Sequence, residues 1–216
     1  MRMNALLDEA IEACRSLHAQ GLLAAADGNV SVRVGNSRMA ITPRGVPKAD
    51  LRRRDFALME LDGTLLKGNP SSERLMHLAI YRAVPEAQAV VHAHPVTAIG
   101  WSLAHPEAEE LPSDALPEVI LAAGRIPLVP MATPGTEEMG LHLTPFLPQC
   151  RLMILARHGG LAWGSSVREA AGGIERLEQV AKILLAAEAF GGAKPLAESD
   201  LLKLRALREQ IGPRLL

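Results

Sequence analysis

Aromatic residues are scarce in this chain, with two Trp, one Tyr and three Phe among 216 residues. The core must therefore be built from Leu, Ile, Val, Ala and Met. Cysteine is scarcer still. Cys14 and Cys150 lie far apart and form no CxxC pair, so a disulfide scaffold is excluded and two reduced thiols in a cytoplasmic protein are expected. No charge sign dominates: 23 Lys and Arg stand against 24 Asp and Glu, a net charge of -1. That balance excludes the basic footprint of non-specific nucleic-acid or anionic-membrane binding. Long apolar runs are missing too, the longest resembling Leu22 to Ala26, far too short to cross a bilayer. No charged segment followed by an apolar one opens the chain, so no secretory signal is expected.

What is present is the mixture of a globular protein, 48% hydrophobic and 22% charged. The length favours one domain over residues 1–216, and no repeat, linker or low-complexity segment interrupts it. Leu7, Ile11, Cys14 and Leu17 share one face of an opening helix that Gly21 ends. Val30, Val32 and Val34 alternate with Ser31 and Arg33, as in a half-buried strand. Gly35-Asn36 then turns the chain into Arg38 to Thr42, and Asp62-Gly63 predicts a second hairpin. Consecutive hairpins imply antiparallel pairing and argue against a purely parallel sheet. Pro70-Ser71-Ser72-Glu73 starts a helix with Met76, Ala79, Ile80 and Ala83 as its buried side. Further strands are expected over Gln88 to His94, Ile126 to Met131 and Leu152 to Ala156, with a loop over 102–117. Ser166-x-x-Glu169 caps a long helix that buries Ile174, Leu177, Ala181, Leu184 and Leu185. A last helix runs from near Ser199 to Gly212-Pro213.

Val90-Val91-His92-Ala93-His94-Pro95 carries the most chemistry. In a strand, residues two apart share a face with roots about 7 Å apart, so both imidazoles can converge on one cation. The flanking valines mark the strand as buried, and buried imidazoles need partners. His158, just past the strand Leu152 to Ala156 and followed by Gly159-Gly160, is the best third ligand. There the glycines are expected to let the chain turn tightly. His18 and His105 read as surface residues, and His142 has no partner in view. His77 lies four residues after Glu73, where it either packs the helix or touches the site. Three histidines leave a coordination position open, as in a catalytic zinc site. An HxHxD hydrolase is excluded by Val96, and a cupin by the many helices.

Ser71 and Ser72 precede a helix, where unpaired amides favour a phosphate. Gly28-Asn29 and Thr42-Pro43-Arg44-Gly45 are two further turns able to cradle oxyanions. No Walker loop or GxGxxG is present, so a nucleotide is not indicated.

Taken in order, Gly28-Asn29-Val30-Ser31-Val32-Arg33, Ile41-Thr42-Pro43-x-Gly45, Pro70-Ser71-Ser72-Glu73, His77, Tyr81, Val90 to His94, Pro134-Gly135-Thr136-Glu137 and His158-Gly159 resemble the zinc-dependent class II aldolase/adducin family. Within it they are similar to the L-fuculose-1-phosphate aldolase type. The resemblance implies a three-layer α/β/α sandwich around a largely antiparallel sheet, in a homotetramer with sites between subunits. It implies one Zn²⁺ per subunit on His92, His94 and His158, with Glu73 as a fourth ligand and then the base. Asn29, Thr42, Gly45, Ser71 and Ser72 would bind the substrate phosphate. The implied reaction is reversible retro-aldol cleavage of a phosphorylated ketose to dihydroxyacetone phosphate and an aldehyde. Zinc would act as Lewis acid and a displaced carboxylate would take the proton. Two departures matter. The type uses a tyrosine near the Ala-Ala-Gly segment as proton donor, and Glu118 falls there instead, as in the methylthioribulose-phosphate dehydratase branch. Arg44 replaces a small hydroxyl residue and would strengthen phosphate binding or reach a carboxylate, as a sugar-acid phosphate decarboxylase requires. A non-catalytic adducin-like interaction domain is disfavoured by retention of all three histidines.

Overall fold

The computed structural model describes residues 2–212. It opens with α1 (Arg2–Ala19), whose Leu7, Ile11, Cys14 and Leu17 are buried as their spacing predicts. The strands β1 (Asn29–Val34), β2 (Arg38–Ile41), β3 (Ala57–Glu60) and β4 (Leu65–Lys67) form successive antiparallel pairs across the two expected turns. Next come α2 (Arg74–Ala83), β5 (Ala89–Ala93), α3 (Val96–Ala104), β6 (Glu110–Leu111), α4 (Pro117–Ala122) and β7 (Ile126–Val129). The chain continues through α5 (Glu137–Leu143), β8 (Leu152–Leu155), β9 (Gly159–Gly164), α6 (Val167–Glu188) and α7 (Glu198–Ile211). Gly212 ends α7, while Pro213 lies outside the described residues.

The strands make one nine-stranded sheet in the order β4-β3-β2-β1-β5-β9-β8-β7-β6, antiparallel everywhere except between β7 and β8. Period-2 alternation gives it two apolar faces. Val30, Val32, Val91, Ile154 and Ala162 face one core, shared with α1, α4 and α6. Met39, Met59, Val90, Met153 and Trp163 face the other, shared with α2 and α5. This is the expected three-layer α/β/α sandwich. Among the described residues no helix is long and apolar enough to cross a membrane.

Several local expectations are corrected. The Ser31 and Arg33 face of β1 is not open to solvent: α2 covers it, and Ser31 is fully buried. On α2 the buried side is Met76, His77, Leu78, Ile80 and Tyr81, while Ala83 is exposed, and on α6 Leu185 is 65% exposed. The segment 96–104, unassigned except for its tail in the expected loop, is helix α3, which has no local capping side chain. Its first amides are capped from far away by the Glu178 carboxylate, which accepts from Thr97 N–H at 2.9 Å. Short helices α4 and α5 and strand β9 were likewise not legible. Gly159 and Gly160 sit in β9 rather than in a turn, and Arg157 takes the left-handed turn position at φ 62°. Their missing side chains serve close approach, because a Cβ on Gly159 would lie 2.5 Å from the Ala93 carbonyl and one on Gly160 would lie 2.6 Å from Leu177.

Candidate active site

The same alternation builds the site. Asn29 pairs with His92 across β1 and β5, and both have the parity of Ser31 and Val90, toward α2. His94 follows one residue after β5 ends, and His158 sits in the β8–β9 connection beside it. The three imidazoles meet there. Their ligating nitrogens all lie within 4.8 Å of one another, and His92 Nε2 is 3.2 Å from His94 Nε2. Two ligands at about 2.05 Å from a tetrahedral ion stand about 3.3 Å apart, so this spacing suits one small cation. The His92 Nδ1–H donates to the Gly160 carbonyl at 2.9 Å, which leaves Nε2 as a lone pair facing the cluster. Burial lowers the His92 pKa to about 3, and burial together with repulsion from His158 lowers that of His94. Both rings are therefore neutral near pH 7, the form that binds a metal.

Glu73, the residue just before α2, completes the cluster. Its Oε1 is 3.1 Å from His158 Nε2 and its Oε2 is 3.4 Å from His92 Nε2. Burial pushes its pKa up. The hydrogen bond and charge of His158, the charge of His92 and the Asn29 amide together outweigh burial and hold it below the usual carboxylate range. Glu73 is an anion facing the Nε2 atoms of His158 and His92.

Behind Glu73 runs a buried chain of hydrogen bonds whose direction is determined by its ends. Asn29 Nδ2 donates to Glu73 Oε2 at 2.7 Å, so its Oδ1 must accept from His77 Nε2–H. His77 Nδ1 then accepts from the Ser31 hydroxyl at 2.7 Å, and Ser31 accepts from the Tyr81 hydroxyl at 2.9 Å. Every donor points toward the carboxylate. His77 is thus neither a metal ligand nor simple helix packing, and burial lowers its pKa to about 4. The signals for it were its spacing from Glu73 and the polar face of β1. Tyr81, the one tyrosine in the chain, is committed to this chain and buried, with its pKa raised by desolvation.

A cleft of about 260 Å³ opens beside the cluster. Asn29, Arg44, Gly45, Ser71, Ser72, Glu73, His94 and His158 line it, which brings together three separate loops that sequence singled out. The N–H groups of Gly45 and Ser72 have no acceptor among the described residues and stay available to an oxyanion. Gly45 adopts φ 74°. Thr42 is fully buried behind this wall, where its hydroxyl accepts from Val30 N–H at 3.1 Å. Glu118 is exposed on the first turn of α4 and is not among the residues lining this cleft. Two cleft residues escaped sequence reasoning. Asp27 places a carboxylate oxygen 3.9 Å from His94 Nδ1, and Lys48, 1% exposed, brings a buried ammonium. Neither lies in a motif with an obvious signal.

Comparison with known proteins finds relatives over most of the chain. A family model described as the Class II Aldolase and Adducin N-terminal domain matches residues 8–185. A 3-oxo-tetronate 4-phosphate decarboxylase of Escherichia coli O6:H1 is 32% identical over 185 residues, 83% of this chain and 85% of that relative. An L-fuculose phosphate aldolase of the same organism is 32% identical over 203 residues, 93% of this chain and 92% of that relative. The crystal structure of YgbL from Escherichia coli superposes with a TM-score of 0.89 at 28% identity, covering 95% of this chain and 100% of that one.

Proposed function

Because this chain belongs to the class II aldolase and adducin family, we propose that it is a zinc-dependent carbon–carbon lyase that releases dihydroxyacetone phosphate from a phosphorylated substrate. The observation that carries the reading is the convergence of three imidazoles, an anionic Glu73 and uncommitted amides on one cleft. His92, His94 and His158 hold the metal, with Glu73 as a further ligand. Bound there, Zn²⁺ supplies a Lewis acid next to the substrate ketone. Asn29, Thr42, Gly45, Ser71 and Ser72 form the phosphate subsite, with Thr42 acting through the loop that it anchors.

Breaking the bond next to the ketone leaves an electron pair on carbon that delocalises into the carbonyl. Glu73, ionised in the free cleft, takes a proton from solvent and passes it to this carbon to give dihydroxyacetone phosphate, and removes it in the reverse direction. The leaving fragment decides the reaction. Retro-aldol cleavage of an L-fuculose-1-phosphate-like ketose needs a further group to handle the aldehyde's hydroxyl proton. Tyr81 cannot reach it from the core, and we assign this role to Glu118 of the partner subunit. Decarboxylation of a keto-acid phosphate needs no such group, since CO₂ leaves without a proton. Arg44, on the cleft wall with no side-chain partner among the described residues, suits the substrate carboxylate. We therefore favour a keto-acid phosphate of the 3-oxo-tetronate 4-phosphate kind. The retro-aldol reading stands second, supported by the fuculose phosphate aldolase likeness over 203 residues. A homotetramer with sites between subunits is the arrangement in which exposed Glu118 would serve a neighbouring cleft.

The test begins with dihydroxyacetone phosphate in D₂O. Zinc-dependent, stereospecific loss of one carbon-bound proton signal is expected on either reading, and its absence from zinc-loaded protein would sink both. CO₂ release from 3-oxo-tetronate 4-phosphate against aldehyde release from L-fuculose 1-phosphate then separates the two.

A further inference from the structure

The residues assigned to the phosphate, Asn29, Thr42, Gly45, Ser71 and Ser72, are all neutral. A phosphate monoester brings about 1.5 to 2 negative charges at pH 7. The cleft already holds the Asp27 carboxylate, while that of Glu73 is taken up with the histidine cluster. Neutral donors orient an oxyanion, but they do not offset that repulsion. Two cations line the cleft. Arg44 is exposed, so solvent and salt screen its charge. Lys48 is 1% exposed and is screened less.

Lys48 lies where the loop preceding β1 meets the loop after β2. Its Nζ donates to the Ala26 carbonyl at 2.7 Å and to the Val46 carbonyl at 3.1 Å. Its backbone N–H donates to the carbonyl of Ala25, a non-glycine residue at φ 47°. The side chain thus ties together the two loops that carry Gly28-Asn29 and Gly45. An ammonium has three protons, and among the described residues only two find acceptors. Two carbonyls and the nearby carboxylates of Asp27 and Glu73 only partly compensate the lost hydration of a buried ammonium, and a methionine of similar length would pack there at lower cost. An anion arriving in the cleft supplies what the protein leaves out.

We propose that Lys48 is the charged floor of the anion subsite, pairing its remaining N–H and its charge with the substrate phosphate while it pins the two loops whose amides receive that group. The proposal rests on the reading that a phosphate monoester occupies this cleft. It adds a residue that no motif marks, and it makes the subsite selective for a dianionic phosphate over a neutral hydroxyl terminus.

Titrating methyl phosphate into the zinc-loaded protein by calorimetry tests it. Lys48→Met is expected to weaken binding at least tenfold, while Lys48→Arg stays within about threefold of the parent. A purely structural lysine would instead lower the unfolding temperature and leave affinity unchanged. Equal affinity in the parent and a folded Lys48→Met would overturn the assignment and leave the cleft reading intact. No binding by the parent would overturn both. Should Lys48→Met fail to fold, ¹⁵Nζ-lysine NMR of the parent decides: the Lys48 ammonium resonance shifts and saturates with methyl phosphate, or it stays still and the proposal falls.

Discussion

Replacing His77 by Leu would cut the buried chain at its centre. Asn29 Oδ1 loses its donor and the Ser31 hydroxyl loses its acceptor, and both residues are almost fully enclosed. Each unsatisfied buried group costs about 1–3 kcal/mol, so the loss at pH 7.5 is about 4 kcal/mol. The pH dependence carries the sharper signature. His77 has an ordinary value of 6.5 when unfolded and about 4 when folded. Between those values the unfolded chain binds the proton and the folded one does not. The parent's stability from this group is therefore complete above pH 6.5 and declines as pH falls toward 4. At pH 4.5 the decline is two pH units at about 1.4 kcal/mol each, or roughly 3 kcal/mol. The variant lacks that decline. Hence the gap between parent and variant should narrow from about 4 kcal/mol at pH 7.5 to about 1 kcal/mol at pH 4.5. Urea unfolding of the metal-free proteins at both pH values measures it. A gap below about 1 kcal/mol at pH 7.5 would mean that Asn29 and Ser31 find other partners. A gap independent of pH would refute the neutral, donor-directed histidine.

Other consequences follow from the same geometry. Glu73→Gln should retain the metal, measured by elemental analysis, while proton exchange into dihydroxyacetone phosphate falls about 100-fold or more; unchanged exchange would remove Glu73 as the proton-transfer group. Gly159→Ala should cost more than about 2 kcal/mol in chemical denaturation and weaken zinc binding, because its Cβ would strike the Ala93 carbonyl and stand 2.8 Å from His92 Cε1. Glu118→Gln should leave CO₂ release from 3-oxo-tetronate 4-phosphate within about threefold of the parent but depress aldehyde release at least tenfold, as expected for an acid–base group needed only by the retro-aldol step. Chelation of the metal should abolish both activities, and one equivalent of Zn²⁺ per chain should restore them.

The histidine cluster and the outline of the sheet were legible in sequence for a local reason. His92 and His94 share a face because strand geometry repeats every two residues, and the Asp62-Gly63 turn dictates its own hairpin. Ser71-Ser72-Glu73 announces a helix start because the first amides of a helix lack partners. These are properties of a few neighbouring residues, and a linear reading captures them.

Only tertiary structure decided what the faces of the sheet meet. Ser31 was expected to face solvent and instead relays a hydrogen bond from Tyr81 to His77, because α2 folds over it from 45 or more positions away. Helix α3 escaped notice because its cap, Glu178, arrives from α6, some 80 residues downstream. Glycines at 159 and 160 looked like a turn, yet they are small because β5 and α6 press against them. Lys48 looked like any loop lysine until Ala26 and Val46 closed around its ammonium. Short-range geometry follows from backbone stereochemistry and is present in the order of the residues. Long-range partners are selected by packing the whole chain, and burial then turns an ordinary serine, histidine or lysine into part of a site.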